Sequence, residues 1–228
     1  MRSDPVNRVP EAVFFDLDGT LLDSLPGIQF SVEAAFAACG LTMRNVPIQS
    51  LIGPPIRVIF SGICAEASER DLDCLERAFR ASYDKDGWQR TYYYPGAKEM
   101  LERFQTWGIR AFVVSNKPLH VVLKILEASG TLSFFQDIVT RDSPEQAFAG
   151  KAEMMSWVLA THKVRSQNCL MVGDTLEDAE AAACNGIQFC LMTHGYGDVP
   201  AGCGVPVGVR FDSFAAFMAK AAKEWKNG

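Results

Sequence analysis

Residues 12–24 read AVFFDLDGTLLDS: four apolar residues, Ala12–Phe15, run into Asp16, and a second carboxylate follows at Asp18, then Gly19-Thr20. A short, wholly apolar run bounded by turn residues fits a strand buried on both faces, as in a parallel sheet. Asp18-Gly19 is a turn signal, so the two acids at i and i+2 are expected where the strand ends. In open α/β folds, ligands and catalytic groups gather at the carboxyl ends of the strands.

Working outward, Ile28, Val32, Ala35, Phe36 and Cys39 share one helical face, with Pro26 near its start and Gly40 beyond its end. Helical patterns follow over 54–64 and 69–83, where Leu72, Leu75 and Phe79 share a face. From Leu25 to Arg90 almost no strand signal is seen, so this stretch is expected as an all-helical insertion. Alternation resumes after Tyr92-Tyr93-Tyr94-Pro95-Gly96. Helices are expected over 97–107, 118–129, 152–162, 175–184 and 214–225, and strands over 110–114, 168–172 and 187–192, with a weaker one over 137–140. Such alternation predicts an α/β fold: a Rossmann-like parallel sheet with helices on both faces. The core is assigned to 11–24 and 91–228, the insertion to 25–90, and a flexible N-terminus to 1–10.

Composition narrows the function. Of 228 residues, 48% are apolar and 21% charged, ordinary for a globular chain and unlike a disordered or fibrous one. The formal charge is −5, and no Lys/Arg block is present, which argues against a nucleic-acid or anionic-membrane surface. No apolar stretch is long enough to span a bilayer, and Met1–Pro10 lacks the apolar segment of a secretory signal. Seven cysteines, an odd number without a CxxC pair, read as buried free thiols rather than a disulfide framework or zinc site, with the reducing cytosol as the expected compartment.

Three further polar clusters accompany the first. Ser115-Asn116-Lys117-Pro118 follows the second strand, Lys151 opens a helix, and Gly173-Asp174-Thr175-Leu176-Glu177-Asp178 follows a later strand. Singly, each has a commonplace explanation: an Asp-Gly turn, a helix cap before Pro, an exposed lysine, and acids favoured in a first helical turn. Together they put acids, a hydroxyl and a lysine at or just after strand ends, in one chain order.

This ordered set resembles the haloacid-dehalogenase superfamily of phosphohydrolases over about Ala12 to Phe217. The resemblance implies that Asp16 is the nucleophile and that Asp18 protonates the leaving alkoxide and then takes a proton from water. It implies Mg²⁺ held by Asp16, the backbone carbonyl of Asp18, and Asp174. Ser115 and Lys151 would hold the phosphoryl oxygens, and Asp178 would orient metal-bound water or Lys151. Asp18 separates phosphohydrolases from the dehalogenases of the superfamily, which lack it.

The insertion, with Leu51-Ile52-Gly53-Pro54-Pro55-Ile56-Arg57, resembles the helical cap of phosphoglycolate-phosphatase-like members, and Tyr94-Pro95-Gly96 resembles their return into the core. Asn116, Lys117 and Arg57 are the candidates for contacting substrate, an anionic leaving group in the case of Lys117 and Arg57; for Arg57 a rim salt bridge is the commonplace alternative. The Tyr92–Tyr94 run is expected to pack the hinge, and the loop His194–Gly197 to border the site. Lys151 departs from the pattern of these relatives, being followed by Ala152 rather than Pro. The expected activity is hydrolysis of a small phosphorylated metabolite. A phosphomutase of the β-phosphoglucomutase kind, a nucleotide or pyrophosphate phosphatase, and a non-catalytic binding protein are the alternatives.

Overall fold

The computed structural model describes residues 8–144, 146–197, 199–200 and 202–225. Most of the N-terminal stretch expected to be flexible, residues 1–7, lies outside them. Strand β1 (Ala12–Phe15) is central, pairing in parallel with β4 (Arg110–Ser115) on one side and β6 (Cys169–Gly173) on the other. Beyond β4 lies β5 (Phe135–Thr140), and beyond β6 lie β7 (Gln188–Met192) and β8 (Val209–Phe211), all parallel. The order is β5-β4-β1-β6-β7-β8.

Because successive strand residues point to opposite faces, each strand feeds two cores. Val13, Phe15, Val113, Val172 and Met192 face α4 (Ala97–Thr106), α5 (Leu119–Ala128) and α8 (Phe214–Glu224). Ala12, Phe14, Phe112, Met171 and Leu191 face α6 (Lys151–Thr161) and α7 (Leu176–Cys184). Helices on both faces are what the unbroken apolar strands required.

The expected helical insertion is present as α1 (Leu25–Cys39), α2 (Ile56–Ile63) and α3 (Glu69–Lys85). Gly40 closes α1 in the left-handed region at φ 65°, and Ser68 with Asp71 forms a capping box on α3. Phe36, Phe60 and Phe79 meet edge to face inside this cap, and Tyr83 stacks on Phe79. The chain enters and leaves the cap through two short antiparallel strands, β2 (Leu22–Asp23) and β3 (Tyr92–Tyr93).

The cysteines correct the sequence reading. Cys39, at the end of α1, is disulfide-bonded to Cys74 in α3, and of the free cysteines only Cys169 and Cys190 are buried. Helix packing brought together two residues that no local spacing connects. The argument for a reducing compartment thereby loses its premise. No helix among the described residues is long and apolar enough to cross a membrane.

Candidate active site

Three adjacent strands, β1, β4 and β6, deliver their final residues to one edge of the sheet. Asp16 follows β1 directly and is buried. The backbone then turns at Gly19, where φ is +87° and where a Cβ would fall onto the Asp174 carboxylate. Only glycine meets both demands. The turn returns Thr20, whose hydroxyl donates to Asp174 Oδ1 at 2.9 Å.

Asp174 follows β6 and is fully buried. Its Oδ2 accepts the backbone N–H groups of Tyr196 at 2.8 Å and Gly197 at 3.1 Å, so the loop after β7 fixes this carboxylate. Thr175 caps α7, receiving the Asp178 N–H while Asp178 Oδ2 accepts the Thr175 N–H and hydroxyl. That capping box aims the other oxygen of Asp178 at Lys151, 2.7 Å away.

Lys151 opens α6 and is buried between two carboxylates, Asp178 and Asp16, the latter at 2.8 Å. One ammonium thus faces three buried acids. Burial raises the Asp16 pKa well above the ordinary range, with Asp178 and Asp174 adding to the rise and Lys151 opposing it. Asp174 is pushed up to about 6, mainly by burial and next by Asp178, against the two backbone donors. Burial pulls Lys151 down, but Asp16, Asp178 and Glu177 outweigh it and hold it above the usual lysine value.

These acids meet the requirements of a hard divalent cation. Oxygen atoms of Asp16, Asp174 and Asp178 lie within 4.8 Å of one another, all are oxygen donors, and the cluster carries more negative than positive charge. Two of the three match the expected ligands. Asp178 is already committed to Lys151 and to the cap of α7.

The second lysine, expected to contact substrate, pairs with the other carboxylate of the first block. Lys117 is buried, and its Nζ donates to both oxygens of Asp18, at 2.9 and 3.0 Å. Tyr83 from the cap lies under it, 4.8 Å from ammonium to ring centre. Burial lowers the Lys117 pKa, but Asp18 and Tyr83 overcome that and raise it. Ser115 ends β4, buried, and its hydroxyl accepts the Lys117 N–H.

Asn116 links core and cap: its side-chain N–H₂ donates to Glu177 Oε2 at 2.8 Å and to the Gly53 carbonyl at 3.2 Å. Arg57 sits on α2 with its guanidinium held by Glu69, by Asp73 at 2.8 Å and by Glu76 at 3.3 Å. That is the rim salt bridge named as its commonplace reading. Arg57 nonetheless lines the same cleft, of about 510 Å³, as Asp16, Asp18, Ser115, Asn116 and Lys117.

Residues without a role in the sequence reading also build the site. Tyr196 accepts the N–H groups of Ser24 (2.7 Å) and Leu25 (2.8 Å) at the start of α1 and donates to Asp23 Oδ1 at 2.7 Å. It therefore ties the loop after β7 to the entrance of the cap. Of the tyrosine run, Tyr93 bonds Thr131 and Tyr94 packs on His194, as hinge packing requires, while Tyr92 is exposed.

Comparison with known proteins agrees with this arrangement. A family model described as haloacid dehalogenase-like hydrolase matches residues 13–192. The phosphoglycolate phosphatase of Vibrio parahaemolyticus is 31% identical over 193 residues, covering 81% of this chain and 84% of that protein. The phosphoglycolate phosphatase of Cereibacter sphaeroides is 32% identical over 194 residues, covering 82% and 87%. A solved haloacid dehalogenase-like family protein from Streptococcus pneumoniae shares the fold with a TM-score of 0.82 at 24% identity, over 92% of this chain and 98% of that one. With its acid pair, buried lysine and helical cap, the chain belongs to the haloacid dehalogenase-like hydrolases and is a phosphatase of the phosphoglycolate-phosphatase-like kind.

Proposed function

We propose that the protein hydrolyses a small phosphorylated metabolite with Mg²⁺, passing the phosphoryl group through the carboxylate of Asp16. The observation that carries this reading is the buried Asp16–Lys151–Asp178 arrangement beside Asp174, at the floor of a cleft that Asp18 also lines. A carboxylate at the end of a central strand, fixed by an ammonium, is an oriented nucleophile.

In the first half-reaction an oxygen of Asp16 bonds to phosphorus while the bond from phosphorus to the leaving oxygen breaks. Protonated Asp18 supplies the proton that this oxygen needs. Water then attacks phosphorus, Asp18 takes a proton from it, and the Asp16–phosphorus bond breaks to release phosphate. As found, Lys117 donates to both oxygens of Asp18. Lys117 must part from it before the acid form can act.

Ser115 and Lys151 are assigned the non-reacting phosphoryl oxygens, and Asp178 positions Lys151. Asn116 and Lys117 are assigned to the substrate side, where both already meet groups of the cap. Asp16, the Asp18 carbonyl and Asp174 would hold Mg²⁺, whose positive charge would offset the repulsion between a phosphate dianion and a carboxylate. The core formed by 11–24 and 91–228 supplies the chemistry, and the cap, 25–90, excludes water.

The test is phosphate release from 2-phosphoglycolate, sugar phosphates, nucleotides and pyrophosphate, with Mg²⁺ and after exhaustive chelation. Release from a monoester that stops on chelation and returns with Mg²⁺ is expected. Release unaffected by chelation, or none from any compound, would overturn the proposal.

A further inference from the structure

The geometry points to a substrate with an apolar leaving group larger than a two-carbon acid, a hydrocarbon or aromatic alcohol esterified to phosphate. This inference rests on the phosphatase reading above. Three observations carry it.

The first is size with the cap seated. Gly53 is bonded to Asn116, Asp84 Oδ2 lies 3.0 Å from His120 Nε2, and Tyr83 packs on Lys117. Even so, the cleft retains about 510 Å³, a volume typical of sites for ligands well above the size of glycolate.

The second is the chemistry of its wall. Ile28, Ile52, Ile56, Ile59, Phe79 and Val121 line the cleft from α1, the loop before α2, α2, α3 and α5. Together they offer a leaving group apolar contact from several directions.

The third is the charge account. A leaving group bearing a carboxylate needs a cation that is not already neutralised. On the cap side, Arg57 is held by Glu69, Asp73 and Glu76, and Arg80 donates twice to Glu76. On the core side, Lys117 is paired with Asp18 until that group takes up a proton, and Arg141, the remaining described cation on the lining, donates to the Ala149 carbonyl at 2.6 Å and keeps its charge. Glu76 and Asp84 line the same side as the two paired arginines, so a carboxylate reaching into the cap would meet acids and cations already paired.

A homologous series tests this directly. Ethyl, n-butyl and n-hexyl phosphate have leaving groups of nearly equal basicity, so differences in kcat/KM report the cleft rather than bond strength. At about 0.8 kcal/mol per buried methylene, kcat/KM should rise about fourfold per methylene, roughly 250-fold over the four methylenes from ethyl to hexyl. Hexyl phosphate should also exceed 2-phosphoglycolate. Ile56→Asn, on the half-buried wall, should flatten the series; melting followed by circular dichroism checks that the variant folds, and the wild-type series stands without it. A flat or falling series, or 2-phosphoglycolate outrunning hexyl phosphate, would overturn the inference while leaving the phosphatase reading intact. An unchanged slope in folded Ile56→Asn would also overturn it. Phosphate release from no ester, p-nitrophenyl phosphate included, would overturn both.

Discussion

Replacing Lys151 by methionine isolates what the buried lysine does. Its ammonium lies 2.8 Å from Asp16 and 2.7 Å from Asp178, with all three groups buried. Methionine keeps most of the volume and removes the charge, leaving three carboxylates to face one another without compensation. Removing one partner of a buried ion pair costs about 3–5 kcal/mol. In a chain of this size each kcal/mol moves the melting midpoint by roughly 2–4 °C, so a fall of about 6–20 °C is expected near neutral pH in the metal-free protein.

The pH dependence has a definite sign. Losing Lys151 raises the folded-state pKa values of Asp16 and Asp174 further above their unfolded values. The folded variant then binds more protons than the unfolded chain, so its stability rises as pH falls. The deficit against wild type should be largest at about pH 8 and shrink toward about pH 5.5. Adding Mg²⁺ at the higher pH should also narrow it, since bound cation replaces part of the lost charge. Thermal denaturation followed by circular dichroism, at both pH values and with and without Mg²⁺, reads all of this. A midpoint within about 2 °C of wild type at the higher pH, less than 1 kcal/mol, would refute the view that Lys151 neutralises this cluster.

Three further outcomes are expected. Asp18→Asn should slow phosphoryl transfer from an alkyl phosphate by about 10²–10⁴-fold in a single turnover, yet far less from p-nitrophenyl phosphate, whose leaving group departs unprotonated; equal losses would remove Asp18 from the role of acid. Because Asp174, pushed up to about 6, and Asp16, held well above the ordinary carboxylate range, must both lose their protons to bind metal, Mg²⁺ affinity by calorimetry should fall at least about tenfold per pH unit below about 6. A pH-independent affinity would exclude Asp174 as a ligand. Tyr196→Phe leaves the Ser24 N–H without its acceptor, while Leu25 keeps Asp23 Oδ1 at 3.2 Å, at about 1–3 kcal/mol for a buried group; an unchanged melting midpoint would show that this tie at the cap entrance is not structural.

The parts of the fold that could be read in the sequence are those with periodicity. The run Ala12–Phe15, the faces of α1 and α3, and the Gly40 stop are local patterns, and the structure contains each of them. What escaped has no local signal. Strands β2 and β3 are two residues each, so no alternation can mark them, and they are defined only by pairing across the whole cap. Strand β8, Val209–Phe211, is a three-residue edge strand after an irregular stretch. The Cys39–Cys74 bond depends on how α1 packs on α3.

The site divides in the same way. Asp16, Asp18, Ser115, Lys151, Asp174 and Asp178 sit at or just after strand ends or at helix starts and could be named from that placement. Thr20 and Tyr196 act through side-chain hydrogen bonds to residues more than 150 positions away. Such bonds leave no mark on spacing. Lys117 and Arg57 were recognisable as cations near the cleft, but their engagement by Asp18 and by Glu69, Asp73 and Glu76 is a matter of tertiary packing alone.

The central claim is that Asp16 carries the phosphoryl group. The most direct measurement is to quench the enzyme with acid during turnover, reduce any acyl phosphate with borohydride, and sequence the peptides by mass spectrometry. Homoserine at position 16, appearing only with substrate and absent in Asp16→Asn, is the predicted result. Aspartate intact at position 16 throughout turnover, or homoserine at another position, would contradict it.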